Sequence, residues 1–467
     1  MKSFKIYLFV LLILCVGGFG AICIFQPGKS PSLIVEENGV KRPVRIMLFT
    51  CQYGSGHKMA TQSIIESLPD CEIQVVDIYD QPLASLDPMR ALAPEFSNER
   101  IYNELIKKEE NQLLNMAGKI APQFLLLQKK QIEKLLTRYV SKDKPDMLIS
   151  CVPLMNFALL STADKLDIPL LVITTDIDVS AFCFGFPEKL KENKTHFRMT
   201  VPYEQAELLD RRFPSLQTSF QYGFGYPTRR TFSEMPKQAV LNQLRDEYEI
   251  QKDENVILVM MGGNAGQASR AYADLLMQMD DEALDRIVGK ENTRNKIHLI
   301  CLCGDTSRAE NKSFMESLNA CNRSEGLSRV RIHGCPGTSK IGELVSLPEL
   351  SVVISKPGGS TVNEMIKKKI PMIYHTNREP LDWERGNMEY GESRGLGKRF
   401  FLSSKPNSND LTAFAELLAE MVALRKSMCS GKVPVPEANI DFTFNLRKTV
   451  KDMTSQTVRK PPATTQP

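Results

Sequence analysis

Residues able to do chemistry gather at a few places in this chain, each behind an apolar run. Gly54-Ser55-Gly56-His57 sets an imidazole between the apolar stretch 44–50 and the helical pattern 58–68. In the first turn of a helix the dipole disfavours a charged ring, which makes His57 a candidate base. Asp176 and Asp178 follow a second apolar run, 170–174. A carboxylate there could orient His57 or accept a proton itself; a simple cap is the other reading. Ser355-Lys356-Pro357-Gly358-Gly359-Ser360-Thr361 joins the run 350–354 to a further helix. Bare backbone N–H groups, the positive end of the dipole and the hydroxyls of Ser360 and Thr361 would together suit a phosphate. Lys356 could pair with it, and Glu364, one turn on, could accept two ribose hydroxyls. Trp383-Glu384-Arg385-Gly386-Asn387 follows the run 371–375 and offers polar groups at the same edge, although the lone Trp could equally be a core residue. Each feature taken singly has a plain alternative: a strand-to-helix connection, a structural histidine, a helix cap.

The elements that would position these residues alternate. Strand patterns at 44–50, 73–78, 146–151 and 170–174 interleave with helical ones, and a second series opens at 256–261 and continues at 298–303, 330–333, 352–354 and 371–375. Such alternation predicts doubly wound parallel sheets, with ligands at the carboxyl edges of the strands. Each series begins with a strand and a glycine turn, the second being Gly262-Gly263-Asn264-Ala265-Gly266. The predicted organisation is a segment 1–30, a polar linker 31–43, a first Rossmann-like domain 44–230 with a helical insertion at 83–140, a linker helix 231–250, a second Rossmann-like domain 251–427, and a C-terminal extension 428–467 that is disordered at its end.

Composition excludes several classes. At 467 residues, 42% hydrophobic and 24% charged, the chain is long enough for two ordinary globular cores. A net charge of +4 and the absence of any nucleic-acid motif argue against DNA or RNA as a partner. The eleven cysteines lack zinc spacing with histidines and form no disulfide framework, which points to reduced thiols and no metal site. Neither G-x-G-x-x-G with a distant acid nor G-x-x-x-x-G-K-[ST] is present, so any phosphates are held by another geometry.

Residues 6–25 carry no charge and are long enough to span a bilayer as a retained anchor, a cleaved signal being the rival. The 101–140 stretch mixes leucines with lysines, as a surface meeting anionic lipid would; two helices packed on the domain would read the same way.

The order and spacing of these motifs resemble the GT-B glycosyltransferases of family 28, in the branch of monogalactosyldiacylglycerol synthase and processive diacylglycerol glucosyltransferase. The likeness covers roughly residues 44–400. It rests on Gly54 to His57, Pro145-Asp146 through Met155, Thr174-Thr175-Asp176, Met261-Gly262-Gly263, Lys356 to Thr361 with Glu364, and Glu384 to Asn387. The resemblance implies an α/β fold of GT-B architecture, its two Rossmann-like domains facing a cleft. Gly54, Ser55 and Gly56 would border the acceptor, with His57 or Asp176 as its base. Gly262, Gly263, Lys356, Gly358, Gly359, Ser360, Thr361, Glu364, Glu384 and Asn387 would bind a UDP-hexose as co-substrate, without a metal or other cofactor. The implied reaction is inverting transfer of galactose or glucose to a membrane lipid, diacylglycerol above all, on the cytosolic face. Transfer of N-acetylglucosamine to a polyprenyl-linked acceptor, a UDP-sugar 2-epimerase and a non-catalytic nucleotide-sugar-binding scaffold stay open beside it.

Overall fold

The computed structural model describes residues 33–37, 40–51, 55–86, 105, 110–186, 196–204, 219–261, 267–289, 295–323, 329–338, 340–376, 379–403 and 406–457. The chain forms two compact units, residues 1–227 with 440–467, and residues 228–439.

In the first unit a hairpin, β1 (Ile34–Glu37) and β2 (Val40–Pro43), leads into β3 (Arg45–Thr50) and α1 (Ser55–Ser67). There follow β4 (Glu72–Asp77), α2 (Asn111–Leu127), α3 (Lys129–Asp143), β5 (Met147–Ser150), α4 (Asn156–Leu166), β6 (Leu170–Val172), β7 (Phe197–Thr200) and β8 (Phe220–Gln221). The sheet runs β4-β3-β5-β6-β7-β8, every described pairing parallel. β3 shows why an unbroken apolar run makes such a strand. Met47 and Phe49 enter the core on one face, Ile46 and Leu48 the core on the other. A side-chain period of two divides one run between two helical layers.

The second unit contains α5 (Arg230–Ser233), α6 (Gln238–Glu247), β9 (Asn255–Met260), α7 (Gln267–Met277), α8 (Asp281–Val288), β10 (Ile297–Leu302), α9 (Ala309–Ala320), β11 (Val330–Cys335) and α10 (Ile341–Leu344). It continues with β12 (Leu350–Ser355), α11 (Gly359–Lys368), β13 (Met372–Thr376), α12 (Asp382–Ser393), β14 (Gly397–Phe401) and α13 (Ser408–Cys429). Its parallel sheet runs β11-β10-β9-β12-β13-β14, the dinucleotide-fold order. In both units the chain works outward from the opening strand, then crosses to its other side. The crossing leaves a topological switch point, beside β3 and β5 in one unit and beside β9 and β12 in the other.

Several boundaries differ from those expected of the sequence. The C-terminal extension, 428–467, divides between the two units after Asn439. Helix α14 (Phe442–Thr457) places Phe442, Leu446, Val450 and Met453 in the core with Ile46, Leu48, Ile64 and Leu68 of the first unit. Arg447 Nη1 meets Asp70 Oδ1 at 2.7 Å, and Asn445 Nδ2 donates to the Phe224 carbonyl at 3.0 Å. Nor is 231–250 a linker: α6 buries Leu241 and Leu244 within the second unit, and Arg245 Nε donates to Glu349 Oε1 at 3.0 Å. Within the expected insertion, α3 is the crossover helix between β4 and β5, with Ile132, Leu136 and Val140 fully buried. A helix with one apolar face and lysines elsewhere suits that place, since the charged face stays in water. The expected anchor at 6–25 and the expected disordered end lie outside the described residues. Among the described residues no helix is long and apolar enough to cross a membrane.

Helix α12 is seated on β13 through a glycine. A Cβ at Gly391 would collide with the hydroxyl of Tyr374, itself 1% exposed. Gly391→Val is therefore expected to cost the second unit about 1–3 kcal/mol through overpacking. Thermal unfolding measures this, and an unchanged melting temperature would show that α12 can shift at no cost.

Candidate active site

His57 lies in the first turn of α1, at the switch point of the first sheet. Thr61, one turn further along, ties that turn down: its hydroxyl donates to the His57 carbonyl at 2.8 Å and lies 2.7 Å from Thr50 Oγ1. The ring Nδ1 stands 2.9 Å from the carbonyl oxygen of Cys151, the residue after β5, and 3.3 Å from Thr175 Oγ1. A carbonyl oxygen can only accept, so Nδ1 carries the hydrogen and Nε2 keeps its lone pair. Burial holds the ring's pKa down to about 4, opposed only partly by the Cys151 carbonyl. At neutral pH His57 is an unprotonated imidazole with its tautomer set by backbone, which is what a general base requires.

The loop after β6 is braced around it. Thr174 N–H donates to Thr200 Oγ1 at 3.1 Å, and Tyr226 O–H donates to the Thr175 carbonyl at 2.7 Å. Asp176 follows, half-buried. Asp178 caps the short turn Val179–Cys183 by accepting from Ser180 N–H at 2.9 Å, the cap reading of the two. Ser150 Oγ donates to Asn156 Oδ1 at 2.8 Å and Asn156 Nδ2 to the Phe182 carbonyl at 3.1 Å, which pins the loop after β5.

In the second unit the phosphate-like turn sits at the end of β12, beside β9. Ser355 Oγ donates to the Met260 carbonyl at 2.5 Å and locks the two strand ends together. Gly358 is the N-cap of α11 and makes no side-chain cap to the first turn of that helix. Asn387 Nδ2 donates to the Pro357 carbonyl at 3.2 Å and Asn363 Nδ2 to the Gly359 carbonyl at 2.7 Å, bracing the turn from both sides. Ser360 and Thr361 are partly open to solvent.

Two carboxyls flank this turn. Glu364 is 4% exposed, and Arg229 Nε donates to its Oε1 at 2.9 Å. Burial pushes Glu364 up to about 7 against the pull of Arg229. Glu384 lies beside Gly358: a Cβ added there would stand 3.6 Å from Glu384 Oε1. Enclosure pushes Glu384 up to about 7 as well, with Lys356 pulling it down. His375, at the end of β13, has Nδ1 2.9 Å from the Tyr272 hydroxyl, while its buried Nε2 meets no partner among the described residues. Burial, then the field of Lys356, holds His375 down to about 4. Lys356 thus acts on both Glu384 and His375.

Relatives bear on what such a pair of sites belongs to. No family model matches the chain. A processive diacylglycerol beta-glucosyltransferase of Staphylococcus saprophyticus is 21% identical over 408 residues, covering 84% of this chain and 89% of the relative. The protein of the same name from Staphylococcus epidermidis is 22% identical over 426 residues, covering 88% and 92%. Among solved structures, that of Arabidopsis thaliana UGT89C1 complexed with quercetin superposes with a TM-score of 0.51 at 13% identity, covering 88% of this chain and 99% of that one. The chain is a hexosyltransferase of GT-B fold. It resembles family 28 in the processive diacylglycerol glucosyltransferase branch along most of its length, as its motifs imply; the likeness to the plant protein concerns the fold.

Within this hexosyltransferase the structure places the expected residues in two groups. Gly56 and His57 stand with the Asp176 loop at the edge of the first sheet. Lys356, Gly358, Gly359, Ser360, Thr361, Glu364, Glu384 and Asn387 stand together at the edge of the second. Gly54, Gly262 and Gly263 lie outside the described residues, and of Ser55 only the backbone, at the start of α1, is described. Sequence reading picks out His375 at the end of its strand but misses Arg229, the Cys151 carbonyl and Tyr272, the partner of His375. Arg229 sits two residues past Pro227 with no periodic pattern to mark it, and a backbone carbonyl has no sequence signature at all.

Proposed function

We propose that the protein moves a hexose, glucose or galactose, from a UDP-sugar to a membrane lipid, most simply diacylglycerol. The observation that carries this reading is the uncapped N-terminus of α11 at the switch point, with a buried carboxyl one turn along it. A diphosphate would lie against Gly358, Gly359, Ser360, Thr361 and Lys356, and a ribose against Glu364. Glu384 would face the sugar, with Asn387 acting through the Pro357 carbonyl it holds. Gly262 and Gly263 would approach the same donor.

Gly54, Ser55 and Gly56 would border the acceptor. His57 Nε2 would take the proton of its hydroxyl as that oxygen forms its bond to the anomeric carbon. The bond from that carbon to the UDP oxygen breaks, UDP leaves with the electron pair, and the configuration inverts. Asp176 would then receive or relay the proton. Helix dipole, backbone N–H groups and Lys356 would stabilise the charge growing on UDP without a metal. The names of the Staphylococcus relatives support diacylglycerol as acceptor. Support for a membrane setting comes from the uncharged stretch 6–25 and from α2, whose Leu127 is 82% exposed beside Lys129 and Lys130. The donor's chemistry favours the cytosolic face.

Full-length protein, vesicles containing diacylglycerol and radiolabelled UDP-glucose or UDP-galactose provide the test. A chloroform-soluble labelled lipid is expected. Label passing only to a polyprenyl-linked acceptor from UDP-N-acetylglucosamine, or no transfer from any UDP-sugar, would overturn the reading.

A further inference from the structure

We propose that Arg229 is the positioning residue of the donor site: it occupies Glu364 Oε1 and leaves Oε2 to receive the vicinal hydroxyls of the nucleotide's ribose. The inference rests on the donor-site reading above. Arg229 stands at the opening of the second unit, one residue before α5. Its Nε and Nη2 each lie 2.9 Å from the same oxygen, Glu364 Oε1. Two N–H groups account for both lone pairs of that oxygen, so the acceptor capacity remaining on the carboxylate is that of Oε2. The guanidinium is itself held in place, its Cζ 4.7 Å from the centre of the buried Phe232 ring. A flat, stacked fork fixes the carboxylate plane in a way a lysine could not.

Charge follows from the same contact. The Glu364 and Arg229 side chains are 5% and 15% exposed, and burial pushes the carboxyl up to about 7 even against the pull of Arg229. Arg230 pairs with Glu234, Lys368 donates to the Glu234 carbonyl and Ser346, and Glu437 meets Arg394 and Tyr390. Glu384 feels Lys356, and Arg229 is the charged group acting on Glu364. Without Arg229 the carboxyl loses the pull that opposes burial and rises further, so at neutral pH more of it is protonated and serves as a partial donor in place of an acceptor for a diol.

Binding of UDP and of 2′-deoxy-UDP to the full chain, measured by calorimetry, separates the possibilities. Wild type is expected to prefer UDP on the order of tenfold or more, the worth of a hydrogen bond to a charged group. Glu364→Ala should abolish the preference. Arg229→Met should abolish it too, at no further cost in a Glu364→Ala background. Arg229→Lys should retain part of it, and it answers the question if the Met variant does not fold. If Arg229→Met or Arg229→Lys keeps the full preference while Glu364→Ala loses it, the positioning role is wrong and the ribose assignment stands. A penalty for Arg229→Met that persists without Glu364 also overturns it. If Glu364→Ala keeps the preference, the ribose assignment falls and the positioning role with it.

Discussion

Replacing His57 by glutamine should lower turnover roughly 10²- to 10⁴-fold, the usual worth of a general base. The side-chain amide can still donate to the Cys151 carbonyl, so the local hydrogen bond survives while the proton acceptor is gone. Binding of UDP, assigned to the second unit, should stay within about twofold, because an interaction made only in the transition state leaves ground-state binding alone. Transfer assays at saturating donor and acceptor measure the loss; turnover within a few-fold of wild type would move the base to Asp176. The pKa of His57 adds a sign. Held down to about 4, the ring is neutral throughout the range where the enzyme would work. Any loss of activity as pH falls toward 6 must then come from other groups.

Lys356→Met should strike twice. It removes the cation assigned to the leaving diphosphate, with an expected loss of about 10²- to 10³-fold in kcat/KM. It also removes the field that lowers Glu384 and His375. Glu384, pushed up to about 7 in the native protein, would rise further. A carboxyl that must be ionised to accept from the sugar is then protonated at a higher pH, so the acid limb of kcat/KM moves upward. His375 would rise from about 4 for the same reason. Lys356→Arg keeps the charge and should keep the limb in place. A pH profile of the Met variant that falls without moving would separate the phosphate role from the electrostatic one.

The local patterns around the candidate site are legible in the sequence. Glycine turns behind apolar strands, a histidine behind one of them and a glutamate one turn past another are local patterns, and local patterns survive folding. The run 44–50 could hardly be anything except a strand buried on both faces, and β3 is that strand. The lysine-rich stretch at 129–143 was harder. Its period is helical whether it lies on a surface or crosses a sheet, and only the burial of Ile132, Leu136 and Val140 distinguishes the two. The C-terminal helix was harder still. The fold commits α14 to the first unit through contacts with residues nearly four hundred positions away, such as Ser67 with Thr443 and Asp70 with Arg447.

By itself, then, the sequence determined the repeating strand–turn–helix units, the residues that end each strand, and a family resemblance carried by the order of those endings. Periodicity and turn chemistry act within a dozen residues, and that is the range such patterns report. Tertiary structure decided which strand lies beside which, and so which loop ends share an edge. It set Cys151 beside His57, thereby choosing the tautomer, and brought Arg229 to Glu364 across 135 positions of sequence. Those pairings follow from how crossovers bury helices on both faces of a twisted sheet, a long-range property with no local signal.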